Sequence, residues 1–85
     1  MNLVWSESSW NDYLYWQKND KQIVKKINEL IKSIKREPFS GIGKPEPLKH
    51  QLVSFWSRRI NNEHRLVYQI ENNHLYIISC RYHYE

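Results

Sequence analysis

Eighty-five residues, 40% of them hydrophobic and four of them Trp, suffice for one small core and exclude a second domain, so a single domain over residues 1–85 is expected. The formal charge of +4 favours an anionic partner, either nucleic acid or an acidic protein. No apolar run approaches the roughly 18 residues of a bilayer span, MNLVWSESSW does not read as a signal peptide, and the lone Cys80 precludes an intramolecular disulfide; a cytoplasmic protein without membrane contact is expected.

Leu3-Val4-Trp5 suits a first strand, and Ser6 stands where a helix needs its N-cap, with Glu7 near the positive end of the dipole. That helix is predicted to run to about Gln17, with Trp10, Tyr13 and Leu14 facing the core at i, i+3, i+4 spacing. Asn19-Asp20 offers a second cap. The next helix carries the cleanest stripe in the chain: Ile23, Val24, Ile27, Leu30, Ile31 and Ile34. Lys25, Lys26, Lys32, Lys35 and Arg36 cover its other face, which is either solvated or a docking surface for RNA or ribosome. Pro38 ends the helix, because a residue before Pro is driven out of the helical region.

Phe39 to Leu48 reads FSGIGKPEPL and is the main irregular segment. Its Gly-Ile-Gly-Lys is not a nucleotide-binding loop, which needs four residues between the glycines and Ser or Thr after the Lys. Glu46 lies between Pro45 and Pro47, so its backbone has few conformations to lose. This gives either a preorganised carboxylate or a rigid turn whose Glu meets only water. Leu48 to Val53, with Lys49 and His50, is predicted to form a short edge strand.

From Ser54 to Tyr84, β-branched and aromatic residues alternate with polar ones, broken by Asn61-Asn62-Glu63 and Glu71-Asn72-Asn73. Three antiparallel strands are predicted there. Arg58, Arg59, Arg65, Arg81 and His83 sit on or beside these strands. Such a set suits a phosphodiester, since Arg grips phosphate through paired donors and His titrates near neutrality; solvated strand positions would account for the same residues. A two-residue hairpin at Asn72-Asn73 puts Arg65 opposite Cys80 and turns His83 to the other face. Arg65 and His83 then converge only through an odd loop, a bulge, or a last strand ending before His83. One of these is predicted. His50, His64, His74, His83 and Cys80 match no common zinc spacing, and no metal or cofactor is expected. The fold class predicted is α+β, with two N-terminal helices packed on a four- to five-stranded antiparallel sheet.

The segments GKPEPLKH (43–50), FWSRRINNEHRLVY (55–68) and CRYHY (80–84), with the opening LVWSESSWNDYLYWQ, closely resemble the YoeB branch of the RelE-like toxins of bacterial toxin–antitoxin systems. The resemblance covers nearly the whole chain. It implies a RelE-like fold and a ribosome-dependent, metal-independent endoribonuclease that cuts mRNA in the ribosomal A site and is silenced by an acidic, YefM-like antitoxin. It further implies catalytic roles for Glu46, Arg65, His83 and Tyr84, with Lys49 and Arg59 holding the substrate backbone. His50 and Arg81 join them as substrate-binding candidates. A homodimer is suggested by the resemblance alone. Two other classes of function remain open at this point: a non-catalytic toxin of the same fold acting on a protein target, and a plain RNA-binding module. The first lacks, in its known members, the Glu, Arg and His set carried here, and the second gives no reason for a carboxylate in a phosphate-binding groove.

Overall fold

The computed structural model describes residues 1–82. The chain runs β1 (Asn2–Trp5), α1 (Glu7–Asn19), α2 (Lys21–Arg36), β2 (Glu46–Pro47), a 3₁₀ turn (His50–Leu52), β3 (Trp56–Arg59), β4 (Arg65–Glu71) and β5 (His74–Ser79). The five strands form one sheet in the order β1-β5-β4-β3-β2. The predicted α+β class and strand number hold, with one refinement: β1 pairs with β5 in parallel, and the other pairs are antiparallel. The helical connection after β1 permits this, since a parallel neighbour cannot be reached through a tight turn.

Both helices start where their caps stand. Ser6 Oγ accepts from the Ser9 amide at 3.0 Å, and the Asp20 carboxylate accepts from the Gln22 and Ile23 amides. On α2 the predicted stripe is the buried one, and the helix stops at Glu37, whose extended backbone is what the following Pro38 demands. Ile27, Leu30 and Ile34 meet Leu66, Tyr68, Leu75 and Ile77 from one face of the sheet, and this is the core.

α1 departs from its predicted orientation. Trp10 and Leu14 are 44% and 41% exposed, and the buried positions are Ser9 and Trp16. The reason is polar. Ser9 is small enough to bring α1 against β5, where its Oγ donates to the Ile77 carbonyl at 2.7 Å, and the Trp16 indole donates to the Cys80 carbonyl at 2.8 Å. Trp10 instead joins Trp5 and Tyr13 in an aromatic cluster beside β1.

Leu48 to Val53 is not a strand. The edge strand is Glu46–Pro47, and Leu48 makes the last rung by donating to the Phe55 carbonyl. Because β2 and β3 are antiparallel neighbours, the residues between them must reverse the chain, and they do so through the 3₁₀ turn with His50 at φ 61°. Pro47, which has no N–H, is tolerated because β2 lies at the sheet edge.

The β4–β5 hairpin turns at Asn72 and Asn73, both in the left-handed region, as a two-residue loop of this hand requires. Pairing runs Glu71↔His74 to Tyr68↔Ile77, then jumps to Val67↔Ser79, so Ile78 is a bulge. β5 then ends at Ser79. Two of the three predicted devices for breaking the register are therefore present. His83 and Tyr84 lie outside the described residues.

Candidate active site on the face away from the helices

Strand alternation assigns each arginine to a face. On β3, Arg58 points with Trp56 toward the helices, and Arg59 points with Ser57 the other way. The sequence sets Arg58 among the phosphate-binding candidates, and its position corrects that expectation. It is fully buried. Nε donates to the Tyr68 hydroxyl, Nη1 to Ser33 Oγ and the Ile42 carbonyl, and Nη2 to the Glu37 and Ser40 carbonyls, at 2.6 to 3.2 Å. All five donors of the guanidinium are used, and none meets a carboxylate.

The Gly-Ile-Gly-Lys run is the loop that wraps this group. Gly41, at φ 110°, could not carry a Cβ without bringing it to 2.5 Å from Ser33 Oγ, and Gly43, at φ 83°, would bring one to 2.6 Å from a Leu30 methyl. Tyr68 completes the cage by donating to the Pro38 carbonyl at 2.7 Å. Burial pushes the Tyr68 hydroxyl above its usual range, and the Arg58 bond and charge offset part of that rise. The loop so held leads directly to Pro45 and Glu46.

On the other face, register brings the candidates together. Glu46 pairs with Ser57, and Arg59 pairs with Arg65. All four side chains point away from the helices, so Glu46 lies on the same surface as the two arginines, one strand from Arg59 and two from Arg65. Two arginines directly opposite each other repel, which a sheet tolerates at a cost of about 0.2–1 kcal/mol. Arg59 is exposed. Arg65 is 9% exposed, and its Nη1 donates to the Asn61 and His64 carbonyls at 2.8 and 3.1 Å. Nε and Nη2 of Arg65 have no hydrogen-bond partner among the described residues. The sole ion pair among those residues is His64 with Glu63, so neither arginine is neutralised by a carboxylate there.

Glu46, Lys49 and His50 line one cleft of about 490 Å³ formed by the run from Glu46 to Leu52. The reversal at His50 therefore does what an edge strand would not: it brings Lys49 and His50 into the same cleft as Glu46. Arg81 does not join them. Its guanidinium carbon sits 3.5 Å over the Tyr15 ring of α1 and 4.7 Å from that of Tyr82.

The chain beyond β5 is gripped residue by residue. Cys80 donates its amide to Asp12 and accepts from Trp16; the Tyr82 amide donates to His64 Nδ1 at 2.7 Å, and its carbonyl accepts from the Arg65 amide at 3.0 Å. The predicted core position of Cys80 holds, and burial, with the Asp12 charge second, pushes its thiol up to about 12. On sequence His64 reads only as one of the histidines of a rejected metal site, and nothing there signals its bond to Tyr82. The signal for Arg58 was available: two adjacent arginines in a strand must face opposite sides, so one had to point inward.

With this geometry in place, the family resemblance can be tested on the whole chain. The sequence profile of the YoeB-like toxins of bacterial type II toxin–antitoxin systems matches residues 5–84. The chain is 68% identical over 84 residues to Toxin YoeB of Escherichia coli strain K12, covering 99% of this chain and all of that one. Two Staphylococcus aureus structures superpose on it closely. The YoeB dimer does so with a TM-score of 0.93 at 56% identity, and the YoeB–YefM complex with 0.92 at 55%, each covering 99% of this chain and 98% of the other. Fold, profile and identity agree over essentially the full length, and the chain belongs to the YoeB family of type II toxin–antitoxin toxins.

Proposed function

We propose that this toxin is a metal-independent endoribonuclease that cuts mRNA in the ribosomal A site. The observation that carries this reading is the placement of the Glu46 carboxylate on the same sheet surface as the Arg59–Arg65 pair, which has no carboxylate partner among the described residues. A carboxylate beside a phosphate site is a liability for binding alone and an asset for removing a proton. Glu46 takes the proton of the ribose 2′-hydroxyl as that oxygen bonds to the adjacent phosphorus, and Arg65 offsets the charge gathering on the phosphorane. The bond from phosphorus to O5′ breaks, and His83 as imidazolium gives that oxygen its proton. The products are a cyclic phosphate, or the 3′-phosphate from its opening, and a 5′-hydroxyl. Tyr84 positions substrate or the His83 ring. Lys49, His50 and Arg59 hold the flanking backbone, whereas Arg81, seated against Tyr15, contributes less directly.

The same arginine surface suits an acidic antitoxin of the YefM type, whose carboxylates would supply the missing counter-charges; the Staphylococcus aureus relative is seen in such a complex and also as a dimer. We extend both assemblies to this chain, and we assign its action to the cytoplasm, where ribosomes and mRNA are found. Among the described residues no helix is long and apolar enough to cross a membrane.

The test maps mRNA 5′ ends in a purified translation reaction, with and without ribosomes, for the wild type, Glu46→Ala and His83→Gln. Ribosome-dependent cuts inside the A-site codon, slowed about 10²–10⁴-fold by either variant, are expected. A wild type that stops growth but cuts nothing would move a protein target to the front.

A further inference from the structure

The geometry points to His64 as a positioning residue for the catalytic tail: its Nδ1 lone pair holds the Tyr82 amide, and so fixes the residue to which His83 is joined. This rests on the proposed acid role of His83. Four observations carry it. His64 is 7% exposed, and its ring is packed edge-on against Trp16 at 4.7 Å, so it cannot swing freely. Its own backbone is fixed as well, since its amide donates to Asn61 Oδ1 at 2.7 Å and its carbonyl accepts from Ile60.

A backbone amide can only donate, so at 2.7 Å from the Tyr82 nitrogen, Nδ1 must carry the lone pair and Nε2 the proton. Nε2 faces the Glu63 carboxylate at 3.6 Å, which favours that tautomer. Finally, Tyr82 holds φ 69°, a strained left-handed conformation that a non-glycine residue keeps only where its surroundings impose it. The surroundings are the consecutive residues His64 and Arg65, one on each side of the same residue: Nδ1 accepts its N–H, and the Arg65 amide donates to its C=O. One dipeptide therefore both presents the arginine proposed to act on the transition state and fixes Tyr82, the residue that precedes His83. A misplacement of about 1 Å in a catalytic group can cost on the order of 100-fold in rate.

The test compares His64→Asn with His64→Leu. Both delete the ring against Trp16 and lose similar packing, but Asn Oδ1 occupies nearly the place of Nδ1 and still accepts from Tyr82. We measure single-turnover cleavage of mRNA on saturating ribosomes, ribosome affinity, melting temperature, and hydrogen exchange at the Tyr82 amide, beside wild type and His83→Gln. His64→Leu should lose about 100-fold in cleavage rate at unchanged ribosome affinity. It should also expose the Tyr82 amide, and His64→Asn should recover most of both at the same melting temperature. Equal losses in the two variants, or rates that simply follow melting temperature, would reduce His64 to a packing residue. A proton found on Nδ1 by nitrogen-15 NMR of the wild type would remove the bond itself. If His83→Gln cuts as fast as wild type, the acid assignment fails and this proposal with it. If that control behaves and His64→Leu cuts at the wild-type rate, the proposal alone fails.

Discussion

The two faces of β3 set the same side chain to opposite tasks one residue apart. Arg58 lies inside, every donor paired with a neutral acceptor, and holds the loop from Glu37 to Ile42 against α2. Arg59 lies outside, opposite Arg65, where no carboxylate among the described residues answers it. Residue type and neighbourhood in sequence are the same; what differs is how many donors remain unpaired. A guanidinium whose hydrogen bonds are complete is part of the fold, and one whose bonds are incomplete is available to a ligand.

The comparison makes predictions of decreasing size. On the outer face, Arg65→Gln should slow cleavage about 10²–10³-fold, because on the proposed mechanism a donor aimed at the transition state is lost. Single-turnover rates on programmed ribosomes measure this, and a loss appearing only as weaker ribosome binding would break the contrast. On the inner face, Arg58→Gln should act through stability. It strands several buried acceptors at about 1–3 kcal/mol each, so the melting temperature should fall by roughly 10 °C or more for a domain of this size. A variant that melts normally but has lost RNA cleavage would show that Arg58 belongs with Arg59 after all.

Alkaline titration probes the same interior. The buried Cys80 thiol has its pKa raised to about 12 from a usual 9.0, so the unfolded chain loses this proton first. The stabilising contribution is complete below about pH 9 and is lost as pH rises toward 12, at up to roughly 1.4 kcal/mol per unit. Denaturant midpoints between pH 8 and 11 should show this slope in wild type and less of it in Cys80→Ala. Gly41→Ala should cost about 1–3 kcal/mol, through its left-handed backbone and the approach of Cβ to Ser33 and Arg58. Thermal melts give that number, and Arg58→Gln should mask part of it, since the two changes strike one cage. Smallest in stability is Arg59→Gln, which should relieve cross-strand repulsion by about 0.2–1 kcal/mol. It should also lower the salt slope of RNA binding by about 0.7, one phosphate contact on a single strand.

Much of the fold was legible because its signals are local. Ser6 and Asp20 cap their helices through their own side chains, the α2 stripe needs only the helical period, and Asn72-Asn73 accepts the left-handed turn that the hairpin demands. The site was legible in part for the same reason: Glu46 between two prolines and arginines along a strand are patterns within a few residues of each other. Trp10 and Leu14 misled because their spacing was helical but their partner was not yet defined, and Ser9 gave no hydrophobic signal at all. Leu48 to Val53 misled because strand propensity does not record that the chain must reverse there.

What the sequence by itself determined is therefore the set of elements, their order, the residues that end them and the chemical types gathered near the site, since each depends on interactions within about one turn or one hairpin. What only the tertiary structure decided is which arginine is enclosed, which face of α1 is buried, and that His64 grips Tyr82. Those outcomes depend on contacts between residues 10 to 71 positions apart, Arg58 with Tyr68 and Ser9 with Cys80 being the two extremes. Such pairs exist only after the sheet has closed, and local periodicity carries no record of them.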